Sequence, residues 1–384
     1  STEHSKRAAK FTADVEKTTW HDATFWSVRQ KRDKMAHELP EWEDLRELAS
    51  EIKMHTITHL ADYLDVFSKN LESRGVKVHW AKDAQEFNEI VLGILNDHHV
   101  KKMVKSKSML TEECEMNPYL EKHGIDVVET DLGERIIQLL GQKPSHIVMP
   151  AIHLKREEVG KMFEEKGISK EIGNYDPTYL TRCARHHLRD QFMEAGAGMT
   201  GCNFGVAETG DCVVCTNEGN ADMTTSMPKL HIVAMGIEKL VPDYKSLAVF
   251  QRLLCRCGTG QPTTAFTSHF RQARPGAEMH VVLVDNGRSD ILADKDHWQT
   301  LKCMRCGACM NTCPVYRRSG GYSYTYFIPG PVGVNLGMLK NPQKYADNVS
   351  ACTLCLSCDN VCPSKVGPGS QIYVWRQSLD KLGK

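Results

Sequence analysis

The apolar positions of the N-terminal part follow a helical period. Between residues 41 and 74 they recur mostly at steps of three and four, and Gly75 follows the last of them. Such a period places one apolar stripe along a helix, and glycine commonly marks a helix end. Residues 1–74 are therefore predicted to form an N-terminal helical segment.

A different pattern begins at residue 75, where short apolar runs alternate with longer amphipathic stretches. Strands are predicted at 76–81, 101–106, 125–130, 146–152, 212–216, 231–236 and 280–285, and helices at 84–95, 112–124, 134–140, 155–166 and 178–195. This alternation is typical of βαβ units, which build a mostly parallel sheet with helices on both faces. A hairpin about Gly210-Asp211 is predicted within it. The fold class is thus α/β over residues 75–294.

Residues 295–384 differ again, because Gly, Pro and Cys become dense and Glu is absent. The whole chain of 384 residues carries 48 basic and 48 acidic side chains, yet residues 300–384 hold ten of the former and only three of the latter. The neutral total conceals a basic C-terminal module attached to an acidic body. A third domain, expected to be helical, is predicted over residues 295–384.

Eight of the 15 cysteines form a repeat. Both sets read C-x2-C-x2-C-x3-C-P, and each cysteine is displaced by 49 residues from its counterpart. This run holds [4Fe–4S] clusters in bacterial ferredoxins, where the fourth cysteine ligates the other cluster. We therefore expect two clusters with crossed ligands: Cys303, Cys306, Cys309 and Cys362 for cluster 1, and Cys352, Cys355, Cys358 and Cys313 for cluster 2.

Two alternatives compete for these features. Paired cysteines also bind zinc, but two triplets each followed by C-x3-C-P favour iron–sulfur clusters. The basic surplus could serve nucleic-acid binding, but it contains no basic run and no interleaved aromatic residues. Two oxidised clusters with their thiolates bring about −4 of charge, which the surplus would partly offset.

Three weaker signals favour ordinary structural roles. Gly196, Gly198 and Gly201 match G-x-G-x-x-G, but they follow a predicted helix, whereas a dinucleotide fingerprint follows a strand. His55 and His59 have the i, i+4 spacing of zinc ligands without a third ligand. The seven remaining cysteines are expected to be buried thiols rather than a third metal centre. They are Cys114, Cys183, Cys202, Cys212, Cys215, Cys255 and Cys257.

A small-molecule site is predicted where strands of the α/β domain end, because open parallel sheets bind ligands there. Polar residues follow the strand at 101–106 and flank the predicted hairpin, where Glu208 is the candidate base or nucleophile. The alternative is plain turn chemistry, which uses the same residue types. The candidate binding residues are Lys105, Ser106, Lys107, Ser108, Glu208, Thr209, Asn217, Glu218 and Asn220.

The composition is that of a globular protein with 41% hydrophobic residues. No apolar run has the roughly 18–20 residues of a membrane helix, and the N-terminus lacks the apolar core of a secretory signal. Clustered cysteines in an odd number are typical of metal sites in a reducing compartment. We expect a soluble, cytoplasmic protein.

Several long motifs resemble the lactate-utilisation protein B family, the iron–sulfur subunit of a bacterial L-lactate oxidation system. They are KSKSMLTEE, VVETDLGERIIQLLGQKPSHIVMPAIH, VAETG, TNEGN, HIVAMGIEKLVP, HVVLVDNGRS and CMRCGACMNTCPVYR. The resemblance implies a ribose-phosphate isomerase/CoA-transferase-like fold for the α/β domain. It also implies two partners: a cysteine-rich heterodisulfide-reductase-like subunit and a second subunit with the lactate-utilisation domain alone. Family members usually continue further, whereas this chain stops 22 residues after Cys362.

The resulting functional hypothesis is an electron-transfer subunit of a complex that oxidises L-lactate to pyruvate. A second hypothesis makes the α/β domain itself the hydroxy-acid oxidoreductase or acyl-binding site, with the clusters as electron acceptors. A third is an iron–sulfur sensor or scaffold. The sequence does not say which subunit carries out the C–H chemistry.

Overall fold

The computed structural model describes residues 2–383, and it begins with four helices. The predicted helix over 41–74 is divided in two, because the helical backbone is interrupted at His59 (φ −117°). Gly75 then adopts a positive φ of 80°, a backbone conformation that glycine reaches without steric cost. The helices are α1 (Glu3–Thr12), α2 (Val15–His37), α3 (Trp42–Thr58) and α4 (Leu60–Glu72).

The central layer is a six-stranded, wholly parallel sheet, which confirms the predicted fold class. Its order is β1-β10-β7-β4-β2-β3, and its inner strands are buried on both faces, as helix-covered parallel strands are. The strands are β1 (Lys77–Ala81), β2 (Lys102–Lys105), β3 (Asp126–Glu129), β4 (Ala197–Thr200), β7 (Leu230–Gly236) and β10 (Glu278–Val284).

The predicted hairpin is confirmed, but it belongs to a second sheet of order β8-β5-β6-β9. Its strands are β5 (Phe204–Val206), β6 (Asp211–Thr216), β8 (Leu240–Val241) and β9 (Phe266–Phe270). The helices of this region are α5 (Ala84–Asp97), α6 (Met109–Glu113), α7 (Met116–Lys122), α8 (Leu132–Leu140), α9 (Arg156–Glu165), α10 (Pro177–Glu194), α11 (Asn220–Ser226), α12 (Tyr244–Gly258) and α13 (Arg288–Ala293). The single helix predicted at 112–124 is broken by the left-handed Glu115.

Two strand predictions need correction. Residues 146–152 form turns, not a strand; their apolar side chains pack against the C-terminal module, with Ile147 in its core. Conversely, the stretch from Gly196 to Gly201, which was expected to end the preceding helix, contains the central strand β4. A Cβ at Gly198 would lie 1.8 Å from the carbonyl oxygen of Thr224, so α11 can pack against this strand only because glycine lacks a side chain.

The C-terminal module is helical, as predicted. The helices are α14 (Ala308–Thr312), α15 (Pro314–Ser319), α16 (Gly330–Lys340), α17 (Pro342–Tyr345), α18 (Asp347–Ala351), α19 (Ser357–Val361) and α20 (Pro368–Gln377). The N-terminal helices cover it: His21 of α2 makes a 2.6 Å hydrogen bond to the carbonyl oxygen of Arg317, and Phe25 lies in the core of the module. Within residues 2–383, no helix is long and apolar enough to cross a membrane.

Candidate iron–sulfur centre and adjoining cavity

The two cysteine runs have the same backbone shape. Arg305 and Leu354 occupy equivalent positions 49 residues apart, and both have a positive φ (62° and 55°). The next equivalent pair, Gly307 and Leu356, is also left-handed. In the first run Gly307 directly precedes the five-residue helix α14, and in the second run Leu356 directly precedes the five-residue helix α19. Since positive φ values are uncommon for residues with a side chain, the repetition indicates that both runs are shaped for the same purpose.

This shape directs backbone N–H groups at cysteine sulfurs. Arg305 N donates to Cys303 Sγ (3.4 Å), and Leu354 N donates equivalently to Cys352 Sγ (3.4 Å). The last cysteine of each run also accepts a backbone N–H, at 3.5 Å for Cys313 and 3.3 Å for Cys362. Hydrogen bonds to the charged form of a thiol favour the thiolate, which is the form that ligates iron.

The last cysteine of each run lies among the first three of the other run. Cys362 lines the same small cavity as Cys303, Cys306 and Cys309. Burial and the neighbouring Cys352 and Cys355 raise the pKa of Cys313 to about 11. Burial raises the pKa of Cys358 as well, and Cys309 and Cys313 are neighbours that add to the effect.

The spacing of these sulfurs fits a cluster better than a single ion. Tetrahedral zinc with Zn–S bonds of about 2.3 Å would hold its sulfurs roughly 3.8 Å apart. No three cysteine sulfurs of residues 2–383 lie within 4.8 Å of one another. Four thiolates spread around a cubane need such wider separations. The donor set therefore fits an iron–sulfur cluster.

Among residues 2–383, one group of donor atoms is compact enough for a single ion. His98, Glu278 and His280 lie together at the amino end of β10. The Glu278 carboxylate already pairs with Lys77 (2.7 Å) and with His280 (2.6 Å). His55 and His59 do not belong to this group.

The surroundings of the two runs differ. Cys306 is buried, and it packs in a core with Phe250 of α12, whereas Cys355 is exposed. Arg46 of α3, itself buried, donates from Nε to the carbonyl oxygen of Cys362 (3.0 Å). Beside the second run, Arg376 likewise donates to a cysteine backbone, from Nη2 to the carbonyl oxygen of Cys352 (2.6 Å).

A cavity of about 350 Å³ lies between the α/β domain and the first cysteine run. Its walls come from segments after the carboxyl ends of four adjacent strands, β10, β7, β4 and β2, and from the segment after β6. The C-terminal module closes it with Arg305 and Cys306. Six predicted residues line it: Ser106, Lys107, Ser108, Asn217, Glu218 and Asn220.

Three predicted site residues lie elsewhere. Lys105 is 1% exposed and pairs with Glu129 at 2.7 Å; burial opposes its charge, but this carboxylate keeps the pKa of Lys105 above its ordinary value. Glu208 and Thr209 occupy the β5–β6 turn. Glu208 Oε1 accepts a hydrogen bond from Tyr244 N (3.0 Å), and Glu208 does not line the cavity. The turn between β5 and β6 lies away from the cavity because the hairpin belongs to the second sheet, whereas Val214, Cys215 and Thr216 at the other end of β6 line the cavity.

Sequence reasoning missed the charged residues deeper in the cavity. Arg288 donates to Glu238 Oε2 (2.5 Å) and to Glu113 Oε1 (2.8 Å). Although burial opposes the effect, Arg288 lowers the pKa of Glu238 to about 2. The signal was available, since Glu238 follows β7 and Arg288 follows β10.

Glu218 has the opposite electrostatic environment. Burial and the nearby Asp131 raise the pKa of Glu218 to about 7, against partial relief from the backbone N–H of Leu132 and from Lys107. At pH 7 the Glu218 carboxyl is therefore about half protonated.

Of the seven non-motif cysteines, Cys114, Cys212, Cys255 and Cys257 are buried as expected, whereas Cys183, Cys202 and Cys215 are only partly buried. Cys202, Cys215 and Cys255 line the cavity, and burial raises the pKa of Cys215 to about 12. Cys114 has the same cause and the same pKa of about 12.

Comparisons with known proteins match this organisation. A sequence model of the LUD domain matches residues 64–289, and one of the 4Fe-4S dicluster domain matches residues 299–366. Lactate utilization protein B from Macrococcus caseolyticus is 42% identical over 348 residues, which cover 88% of this chain and 72% of the relative. The protein of the same name from Bacillus pumilus is 43% identical over 363 residues, covering 92% and 76%.

One more relative and one solved structure are similar to this chain. The Escherichia coli protein named uncharacterized electron transport protein YkgF is 41% identical over 363 residues, covering 93% of this chain and 76% of that protein. Among solved structures, a DUF162 family protein from Deinococcus radiodurans aligns with a TM-score of 0.33 and 13% identity, over 59% of this chain and 98% of that one. The family models and the curated relatives show that this chain belongs to the lactate utilization protein B family, with a LUD domain followed by a 4Fe-4S dicluster domain.

Proposed function

We propose that the chain is the electron-transfer subunit of a cytoplasmic system that oxidises L-lactate to pyruvate, and that it holds two [4Fe–4S] clusters. Cluster 1 takes Cys303, Cys306, Cys309 and Cys362; cluster 2 takes Cys352, Cys355, Cys358 and Cys313. The observation that carries the proposal is the position of Cys362, which lines the same cavity as the first three cysteines of the other run.

The clusters supply one-electron transfer, and two of them match the two electrons that leave a hydroxy acid on oxidation. Cluster 1 would adjoin the cavity of the LUD domain, since Cys306 lines that cavity. Cluster 2 would lie at the surface, since Cys355 is exposed. This arrangement suits a path from the LUD domain to a partner protein.

The partners in this proposal are a cysteine-rich heterodisulfide-reductase-like subunit and a second LUD-domain subunit. Membership of the lactate utilization protein B family supports such a multi-subunit system. The proposed domains are the helical segment 1–74, the LUD domain over 75–294 and the dicluster domain over 295–384.

The cofactor content is tested by iron and sulfide analysis of anaerobically purified protein. We expect about eight irons and eight sulfides per chain, and about half of each in Cys306→Ala. Cys114→Ala is the matched control, because Cys114 is a buried cysteine of the LUD domain core. Stoichiometric zinc, or full iron content in Cys306→Ala, would overturn the proposal.

The function is tested by complementation of a bacterium that lacks its own lactate utilization protein B. We expect the wild-type chain and Cys114→Ala to restore growth on L-lactate, and Cys306→Ala and Cys355→Ala to fail at equal protein abundance. Full growth with both variants would show that electron transfer through these cysteines is not the function.

The contact between the cavity and Cys306 favours a second candidate, in which the LUD domain is itself the catalyst. Because Glu208 lies outside the cavity, the acid–base groups of this catalyst would be Asp131 and Glu218, which line the cavity. Turnover of L-lactate by the purified chain with an artificial electron acceptor would favour this candidate. Activity only in the presence of partner subunits would contradict it.

A further inference from the structure

The cavity beside Cys306 contains polar groups that the protein leaves unpartnered. Ser106 is 3% exposed and lines the cavity, yet its hydroxyl has no hydrogen-bond partner in the described chain. Arg305, from the dicluster domain, also lines the cavity, and its Nη1 is buried without a partner among residues 2–383. Buried polar groups are nearly always hydrogen-bonded, so two such groups on residues that line one cavity indicate a ligand.

Two cations of the cavity lining, Lys107 and Arg305, are not taken up by ion pairs within the described chain. Arg288 is fully engaged, because Glu113 and Glu238 neutralise it. Lys107 donates only to the carbonyl oxygen of Val148 (2.7 Å), and neither Lys107 nor Arg305 forms an ion pair within residues 2–383. These two cations come from opposite walls, the LUD domain and the dicluster domain, and both remain free to bind an anion.

The two runs share a backbone shape at Arg305 but not its side chain. Its φ of 62° is sparsely populated by residues other than glycine, and such strain persists where the surrounding structure requires it. The equivalent position of the other run holds Leu354, which has no charge. The shared shape therefore serves the cysteine loop, and the arginine is specific to the run that faces the cavity.

Glu218 in the cavity lining can carry a proton. Burial and the neighbouring Asp131 raise the pKa of Glu218 to about 7. A carboxyl group with such a pKa can give a proton to, or accept one from, a hydroxyl or carbonyl group of a ligand. Hydroxyl and amide groups of Ser108 and Asn220 complete the polar lining.

We propose that this cavity binds a small 2-hydroxy or 2-oxo carboxylate, with Arg305 and Lys107 holding the carboxylate and Ser106 donating a further hydrogen bond. The choice among organic acids rests on the proposed function, while the preference for an anion rests on the cavity alone. At about 350 Å³ the cavity accommodates a three-carbon acid with water beside it. The bound acid would lie against the Cys306 loop.

Anaerobic isothermal titration calorimetry of the iron-loaded protein tests the proposal, with sodium pyruvate, sodium L-lactate and inorganic phosphate as probes. We expect one saturable site per chain for pyruvate or L-lactate. Arg305→Gln and Lys107→Gln should each weaken binding by about tenfold or more, since each removes a charge-assisted hydrogen bond. Ser106→Ala should weaken it by a smaller factor.

Arg318→Gln is the matched control, because Arg318 is an exposed cation of the dicluster domain outside the cavity. Arg305 lies between two proposed ligands, so the iron content of its variant is measured first. Lys107→Gln keeps the test decisive if Arg305→Gln loses iron, because Lys107 belongs to the LUD domain.

The inference would be overturned by the absence of saturable heat with either organic acid, or by binding that Lys107→Gln and Ser106→Ala leave unchanged. Tighter binding of phosphate than of both acids would also contradict the assigned ligand class. Iron analysis and growth on L-lactate report on the proposed function, whereas calorimetry reports on the cavity. Full iron content and normal growth without acid binding would therefore contradict this inference alone.

Discussion

The two cysteine runs share one spacing and one backbone shape, yet they lie in different environments. Cys306 of the first run is buried between the dicluster domain and α12, and it lines the large cavity. The equivalent Cys355 is exposed. Spacing therefore fixes what a run can ligate, while the elements packed around it determine what each site can exchange electrons with.

The N-terminal helices produce much of this asymmetry. Arg32 of α2 donates to the carbonyl oxygen of Val361 (3.4 Å), and Arg46 of α3 donates to that of Cys362. Lys302, 4% exposed, donates to Ser50 of α3 (3.0 Å). Three buried cations thus surround the cluster 1 side, whose negative charge they would partly offset.

The largest expected effect is on stability. Cys306→Ala and Cys355→Ala should each lose about four irons, but only Cys306→Ala should also lower the melting temperature strongly. The reason is that Cys306 lies in a core shared with α3 and α12, and metal binding there is coupled to folding. Differential scanning calorimetry of both variants measures the difference. Equal melting temperatures would mean that the two environments do not differ energetically.

A second effect is the rate of cluster loss. A chelator or oxygen should remove cluster 2 first, because its ligand Cys355 is exposed, and a difference of about 1.4 kcal/mol in local opening gives a tenfold difference in rate. EPR of samples taken at successive times would report which of the two cluster signals decays first. Simultaneous loss of both signals would contradict the distinction.

The matched arginines allow a smaller and more selective perturbation. Arg46→Gln should lower the potential of cluster 1 alone, and Arg376→Gln that of cluster 2 alone, each on the order of tens of millivolts. Each substitution removes one positive charge beside a ligand of one cluster. EPR-monitored redox titrations measure the shifts, and Arg318→Gln serves as the unshifted control. Equal shifts of both signals in either variant would indicate a single coupled centre.

The smallest expected effect concerns Glu218 on the cavity side. The pKa of Glu218 is raised to about 7 in the folded protein, so the folded state binds more protons than the unfolded state above pH 4.5. Stability should therefore fall as the pH rises from about 4.5 through about 7. Glu218→Gln should flatten this slope in urea unfolding measured at several pH values. An unchanged dependence of stability on pH in Glu218→Gln would mean that a group other than Glu218 binds the proton.

The sequence predicted the parallel sheet and the cysteine repeat because both depend on local period and spacing. It failed where an apolar run packs outside the sheet: residues 146–152 are buried against the dicluster domain, and His146 bonds to Asn311 there (2.9 Å). It also missed β4, since nothing local indicates that Gly198 must admit the backbone of α11.

Six of the nine residues predicted for the small-molecule site line one cavity, and the other three do not. Segments that follow adjacent parallel strands meet at one edge, so Ser106, Lys107 and Glu218 share a cavity. Glu208 was grouped with them because it is near in sequence, but its turn belongs to the second sheet. Arg305 could not be placed by pattern alone, because its role depends on two domains packing together.

The central claim is that the two runs exchange their last ligand, and EPR of dithionite-reduced Cys362→Ala tests it most directly. Cys306→Ala and Cys355→Ala serve as references for the loss of cluster 1 and cluster 2. The account predicts that Cys362→Ala loses the signal that Cys306→Ala loses and keeps the signal that Cys355→Ala loses. Loss of the Cys355-dependent signal instead would mean that each run ligates its own cluster, and it would contradict the account.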